Sequence, residues 1–170
     1  MAEAWLRGPI EGIPPLLLPA AHALVQARED LHAAVAGVPD AALWERPGGA
    51  ASIGFHLRHI AGSLDRLLAY ALARPLDDRQ RTVLAQEGQA GDPPAGAPEL
   101  LAGVDAAIDQ ALHVLRTTAE ADLLAYRPVG RAELPSNVIG LLFHAAEHTQ
   151  RHTGQVIATA KVLSGATERP

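Results

Sequence analysis

The chain has 170 residues, of which 48% are hydrophobic and 19% are charged, and its formal net charge is -5. These values predict one globular domain over residues 1–170, with its core at about residues 16–164, and they exclude a disordered chain. Because a domain of this size buries roughly 70% of its unfolded surface, it needs no metal or disulfide to fold. The 34 alanines and 24 leucines favour helices and exclude an all-β fold.

Charge and cysteine content exclude further classes of protein. The chain has one lysine, Lys161, against 13 arginines, and its acidic balance offers no basic field to a nucleic acid. The absence of cysteine excludes disulfides, cysteine nucleophiles and thiolate metal ligands. The most apolar early segment, residues 13–25, is interrupted by three prolines and is too short to cross a bilayer. We therefore expect a cytoplasmic protein without a membrane or nucleic-acid partner.

Four segments with apolar residues three and four positions apart predict four long helices. The first extends from about Pro19 to Ala36 and ends near Gly37. The second begins after Ser52, a residue typical of helix N-caps, and ends before Pro75.

The connection that follows, residues 76–98, is too long for a tight turn. It suits a crossover that lets helices two and three run in the same direction, with a short helix at about residues 79–87. The third long helix is predicted at about residues 98–119. The expected fold is thus an all-α, single four-helix bundle with a long crossover between helices two and three.

The last predicted elements are a loop at residues 126–135 and a long fourth helix at about residues 137–163. Ser136 is the expected N-cap of this helix, and Gly165 is expected to close it.

Eight histidines are the main candidates for chemistry, at positions 22, 32, 56, 59, 113, 144, 148 and 152. On helix four, His148 and His152 are four residues apart, so both imidazoles lie on one face and can approach one ion. On helix two, His56 and His59 are three residues apart. The apolar periodicity of helix two favours His56 as the inward residue, but the pattern alone leaves the choice between them open.

Two histidine motifs resemble those of a known family. Helix two carries Ser-Ile-Gly-Phe-His-Leu-Arg-His-Ile at residues 52–60, and helix four carries Gly-Leu-Leu-Phe-His-Ala-Ala-Glu-His-Thr-Gln-Arg-His-Thr-Gly-Gln at residues 140–155. Together with the long second connection, these motifs make the chain resemble the DinB/YfiT-like metalloenzymes, a family of four-helix bundles. The resemblance covers nearly the whole chain, and its most unusual part is the ending His-x-x-x-His-x-Gly-Gln.

The resemblance implies a metal site formed by His59, His148 and His152. It implies zinc or nickel as the ion. Proteins of this family include low-molecular-weight thiol transferases, a thiol-dependent isomerase and proposed hydrolases. Because the chain has no cysteine, any thiol would have to be a cosubstrate.

Other residues near these positions are candidates for supporting roles. His56 remains an alternative ligand or a partner of the ligands, and His144 and Gln155 are candidates for contacts that orient a ligand or substrate. Glu147 precedes His148 but is expected to point away from it, into solvent or an interface. The remaining histidines, at positions 22, 32 and 113, lack a partner motif and are expected at the surface or at its boundary with the core.

Two better-known histidine chemistries do not fit. A zinc protease needs His-Glu-x-x-His, and here a threonine follows His148. A di-iron bundle needs two Glu-x-x-His motifs plus two further glutamates, and only Glu29 with His32 has that spacing. Arg127 and Arg131, which lie before helix four, could meet an anionic substrate, although arginines in loops are usually solvated.

Three neutral histidines leave at least one position of a divalent ion open, which is typical of a catalytic site. The sequence therefore predicts a metal-dependent thiol transferase or hydrolase that acts on a small molecule. The alternative is a metal- or ligand-binding bundle without turnover. A homodimer is expected, because helices one and two are more apolar than a single bundle can bury.

Overall fold

Four long helices and one short helix make up most of the computed structural model, which describes residues 2–167 and the side chains of residues 2–165. The helices are α1 (Leu18–Val35), α2 (Ile53–Ala71), α3 (Asp78–Gln86), α4 (Ala97–Thr117) and α5 (Val138–Thr167). The structure confirms all five predicted helices, and their ends differ from the expected ones by a few residues. The fold is a four-helix bundle.

The packing partners fix how the bundle is arranged. Helices α1 and α2 each pack against both α4 and α5, and α3 packs against α2. Helices α1 and α2, although consecutive long helices, therefore lie at opposite corners of the bundle. Helix α2 is covered by α5 on one face and by α4 on another, and this explains why its apolar residues extend over a wide arc.

Side-chain caps mark the start of three helices. The Ser52 hydroxyl accepts a hydrogen bond from the backbone N–H of Phe55, 3.1 Å away, as predicted for α2. Asp77 and Gln80 form a reciprocal capping box at the start of α3. At the start of α5, Asn137 Oδ1 accepts a hydrogen bond of 2.8 Å from Gly140 N–H. Asn137 rather than Ser136 is therefore the cap of α5, since it places its oxygen over the N–H of the third helical residue.

The end of α5 and the segment before it also differ from expectation. Helix α5 continues past Gly165 to Thr167. The predicted loop is a short antiparallel hairpin of β1 (Tyr126–Val129) and β2 (Leu134–Asn137). Each strand contains a proline, which strands avoid, and this is the reason that the sequence pattern gave no strand signal.

The core consists of apolar side chains from all four long helices. Fully buried leucines and isoleucines lie on α1, α2 and α4, and α5 contributes buried alanines, valines and two leucines. Two buried threonines on α5, Thr149 and Thr153, donate their hydroxyl protons to backbone carbonyls four residues earlier, at 2.8 and 2.9 Å. Within residues 2–167, no helix combines the length and apolar character that crossing a membrane requires.

The link between α2 and α4 is anchored to the rest of the protein at several points. Arg58 donates hydrogen bonds to the carbonyl oxygens of Gln89 and Ala90, and its guanidinium lies over the Trp44 ring, 4.9 Å from the ring centroid. The Trp44 indole in turn donates a hydrogen bond of 2.9 Å to Ala95 O. The long crossover is therefore held close to α2 after α3 ends.

The cap of α5 can be tested by a pair of alanine substitutions. We expect Asn137→Ala to lower the free energy of unfolding by about 1 kcal/mol, because it leaves a backbone N–H of the first turn without its partner. Ser136→Ala should change it by less than about 0.5 kcal/mol. Urea denaturation of both variants measures this, and a larger loss for Ser136→Ala would restore Ser136 as the cap.

Candidate metal centre

Four histidines from α2 and α5 meet at the interface of these two helices. Ligand atoms of His59, His148 and His152 all lie within 4.8 Å of one another. The ring centroids of His59 and His148 are each 4.5 Å from that of His152. Zinc–imidazole bonds are about 2.0–2.1 Å long, so two nitrogens on one ion lie at most about 4.2 Å apart, and the cluster is close to this range.

His59 is held on both sides of its ring. Its Nδ1 lies 2.7 Å from Glu87 Oε2, and its Nε2 lies 2.9 Å from His148 Nε2. Because a carboxylate accepts hydrogen bonds, the short contact with Glu87 favours a proton on Nδ1, and Nε2 is the nitrogen that faces the cluster. The Phe55 ring stacks on the imidazole, with centroids 5.4 Å apart and planes 11° from parallel.

The two histidines of α5 are kept neutral by their surroundings. Burial, followed by the neighbouring His59, lowers the pKa of His148. The same two causes, with added repulsion from His148 and His56, lower the pKa of His152 to about 4. A metal ligand must be the neutral imidazole, so this electrostatic setting suits metal binding.

His148 has one nitrogen without a protein partner. Among the side chains of residues 2–165, its buried Nδ1 makes no hydrogen bond. Buried polar atoms in proteins are nearly always paired, so an unpaired ring nitrogen inside a cluster of histidines fits a site that binds a further group. Donor type, neutrality and spacing therefore all fit a divalent ion.

His56, which the periodicity favours as the inward residue, is indeed buried, with 5% of its surface exposed. Its Nδ1 lies 3.0 Å from the Nδ1 of His152, and burial lowers its pKa. His59 also faces α5, so the two histidines of α2 both point into the bundle. His56 contacts His152 alone within the cluster, whereas His59 contacts both histidines of α5.

The other candidates lie at the edge of the cluster or outside it. His144 is exposed, with its ring centroid 5.4 Å from that of His148 and its Nδ1 3.4 Å from Glu147. Glu147 accepts two hydrogen bonds from Arg151 on the exposed side of α5, and this pairing lowers its pKa. Gln155 is exposed, and no hydrogen bond joins it to the histidines in the described part of the chain.

The two arginines weighed as anion ligands have different positions. Arg127 donates hydrogen bonds of 2.8 Å to the carbonyl oxygens of Ala71 and Tyr126, so it ties β1 to the end of α2. Arg131 is exposed in the turn of the hairpin. The histidines predicted at the surface behave as expected: His113 is exposed on α4, His32 pairs with Asp105, and His22 contacts Gly8 O.

Glu87 contacts the histidine cluster, and the sequence pattern does not reveal this residue. It follows α3, its side chain is 3% exposed, and its carboxylate contacts both His59 and Arg66. A single glutamate at the end of a polar helix carries no periodic signal. The one available clue is chemical, because metal-binding histidines usually donate their second N–H to a carboxylate or carbonyl group.

A cavity of about 550 Å³ lies between α2, α3 and α4. Its floor is formed by small and apolar side chains, including Leu57, Ala61 and Leu100, and its rim carries Arg79 and Glu99. None of the histidines lines it, but Gly62 of α2 does, so the cavity comes close to the α2 face that carries His59.

Comparison with known proteins agrees with this architecture. A solved structure, YfiT from Bacillus subtilis, superposes with a TM-score of 0.66 at 16% sequence identity, over 92% of this chain and 93% of that one. YfiT is described as "a probable metal-dependent hydrolase with an unusual four-helix bundle topology". No curated protein sequence is significantly similar to this chain. The family model of the DinB superfamily matches residues 23–156, which is most of the chain, and the protein therefore belongs to the DinB superfamily.

Proposed function

We propose that the protein is a metal-dependent enzyme in which His59, His148 and His152 hold one divalent ion. The observation that carries this proposal is the meeting of three histidines, two of which are kept neutral by their surroundings, at a helix interface. Imidazole ligands suit zinc and nickel, and the absence of thiolate and free carboxylate donors is consistent with either ion.

The ion would serve catalysis rather than folding. Three neutral protein ligands leave a position open, where an ion lowers the pKa of a water or thiol molecule and so prepares a nucleophile. The residues of the chain would bind the ion, orient its ligands and exclude bulk water from the buried side. Stacking of Phe55 on His59 and the burial of His56 serve this last role.

Hydrolysis of a small electrophile is the reaction that we place first. YfiT, which shares the fold, is described as a probable metal-dependent hydrolase. Both glutamates near the histidines form ion pairs, Glu87 with Arg66 and Glu147 with Arg151, so neither is an unpaired carboxylate placed beside the site as a general base. Activation of the nucleophile would then depend on the ion.

Transfer of a low-molecular-weight thiol is the second candidate. The same open position would accept a thiolate, and the thiol would come from a cosubstrate because the chain has no cysteine. The non-catalytic metal- or ligand-binding bundle is the alternative from another class. The 550 Å³ cavity, which none of the histidines lines, is the observation that favours this alternative.

A homodimer and a cytoplasmic location stay predictions. The dimer is supported by large exposed apolar side chains around the hairpin and the start of α5. These are Leu124, Tyr126, Leu134 and Phe143, each more than half exposed. Sedimentation velocity of the full chain measures the oligomeric state directly.

Metal binding provides the first test of the proposed function. After zinc or nickel loading and dialysis, we expect about one ion per chain in the parent and close to none in His148→Ala and His152→Ala. His113→Ala is the matched control, because His113 is an exposed histidine on α4 and should leave the stoichiometry unchanged. Elemental analysis gives the result, and parent-like metal content in both cluster variants would refute the site.

Turnover provides the second test. We expect the zinc- or nickel-loaded protein to cleave one or more small esters or amides, and His152→Ala to lose this activity while His113→Ala keeps it. Parallel assays with low-molecular-weight thiols and small electrophiles separate the branches, since a strict thiol requirement selects the transferase. A loaded protein without turnover in either panel supports the binding-module alternative.

A further inference from the structure

We propose that Glu87 is a positioning residue, which acts through His59 and fixes that imidazole in the orientation and tautomer that a metal ligand needs. This inference rests on the proposed metal site. It concerns a residue of the crossover, outside the two histidine motifs, and it gives the long link between α2 and α4 a role in the site.

The first support is the division of the buried carboxylate between two partners. Glu87 Oε1 accepts a hydrogen bond of 2.7 Å from Arg66 Nη1, and Oε2 accepts one of 2.7 Å from His59 Nδ1. An isolated buried carboxylate is very costly, so both interactions are needed to keep it there. Arg66 compensates its charge and holds one oxygen, which leaves the other oxygen aimed at the imidazole.

The second support is the space that α2 leaves for this carboxylate. A Cβ atom added at Gly62 would overlap Glu87 Oε1 and would lie 2.8 Å from Arg66 Nη1. His59, Gly62 and Arg66 are three and four positions apart, so they line one face of α2. That face therefore offers a donor on each side of a glycine, and only glycine lets the carboxylate approach so closely.

The third support is the way that the crossover holds Glu87 in place. Before Glu87, α3 is tied to α2 by the pairing of Arg79 with Asp65 at 2.7 Å. After Glu87, Arg58 binds the carbonyl oxygens of residues 89 and 90. The carboxylate is thus delivered by a segment that is fixed to α2 on both sides, which limits how far the His59 ring can turn.

The chemical consequence concerns the two ring nitrogens of His59. A proton fixed on Nδ1 by the carboxylate leaves the Nε2 lone pair directed at His148 Nε2, 2.9 Å away. Loss of a carboxylate that holds a ligating imidazole in place typically costs about 10–100-fold in metal affinity.

The tautomer of His59 can be measured in the parent protein without metal. We expect a two-dimensional ¹H–¹⁵N spectrum of the imidazoles to show His59 with its proton on Nδ1. A proton on Nε2 would overturn the inference, whatever the protein does with metal ions. In Glu87→Gln, the charge is lost and the amide NH₂ can take the place of an accepting oxygen, so we expect a mixture of tautomers.

Metal affinity gives the second readout, by competition with a chromogenic zinc chelator. We expect Glu87→Gln to bind zinc about 10–100-fold more weakly than the parent. Glu147→Gln is the matched control, because it removes the same charge next to His148 from a residue that contacts Arg151 on the surface. It should bind zinc like the parent, and equal losses in both variants would mean that only net charge matters.

A third variant covers the case in which Glu87→Gln does not fold. Gly62→Ala keeps the carboxylate but pushes it away from α2, and it should weaken zinc binding in the same direction; exposed Gly103→Ala on α4, where an added Cβ meets nothing, is its control. Parent-like affinity in a folded Gly62→Ala or Glu87→Gln variant would overturn the role of Glu87. A parent that binds no zinc but has the Nδ1 proton on His59 would instead refute the proposed function.

Discussion

The packing of α2 against α5 is the contact on which the rest of the molecule depends. Both helices bury apolar side chains, with Ile60 on α2 and Leu142 and Val156 on α5 fully or almost fully buried. Side chains on a helix have fixed positions relative to its buried stripe, so the same packing also fixes the histidines beside the stripe. A site built on two rigid helices needs no loop to bring its donors together, and such sites hold their geometry better than sites on loops.

Most of this arrangement could be predicted from the sequence, because it follows from helical periodicity. The four long helices, and the shared face of His148 and His152, depend on spacings of three and four. That His59 joins these two histidines was implied by the resemblance to the DinB/YfiT-like family. The choice between His56 and His59 did not follow from periodicity. Helix α2 is covered on the α5 side and on the α4 side, and the crossover shields a third part of its surface, so His56 is buried and His59 is mostly covered. A wheel with one buried stripe cannot represent a helix that is enclosed over so wide an arc.

The features that the sequence did not predict are set by contacts between distant residues. In the sequence, Glu87 is an ordinary acidic residue, and only the folded chain places it beside Arg66 and His59. Gly62, which leaves room for its carboxylate, appears in the sequence only as a residue that destabilises a helix. A glycine within a helical pattern can signal close approach by another group, and Gly62 is such a case. The sequence predicted a loop in place of the hairpin, because both strands contain a proline and have little local strand preference. The strands are held by their pairing with each other and by the hydrogen bond from Arg127 to the end of α2.

The buried polar side chains beside the histidines lower the stability of the bundle, so a contribution to stability does not explain their presence. A chain of this length has an apolar core large enough to fold without a metal ion, and replacing a buried ion pair with apolar side chains is often neutral or stabilising. The bundle nevertheless buries Arg66, Glu87 and His56, and it partly buries the three other histidines of the cluster. Buried polar side chains concentrate at functional sites. There, side chains held in fixed positions are kept although they lower the free energy of unfolding. Because the fold does not depend on the ion, changes at the histidines should alter metal binding without unfolding the bundle, and this separation is what makes the site accessible to mutational tests.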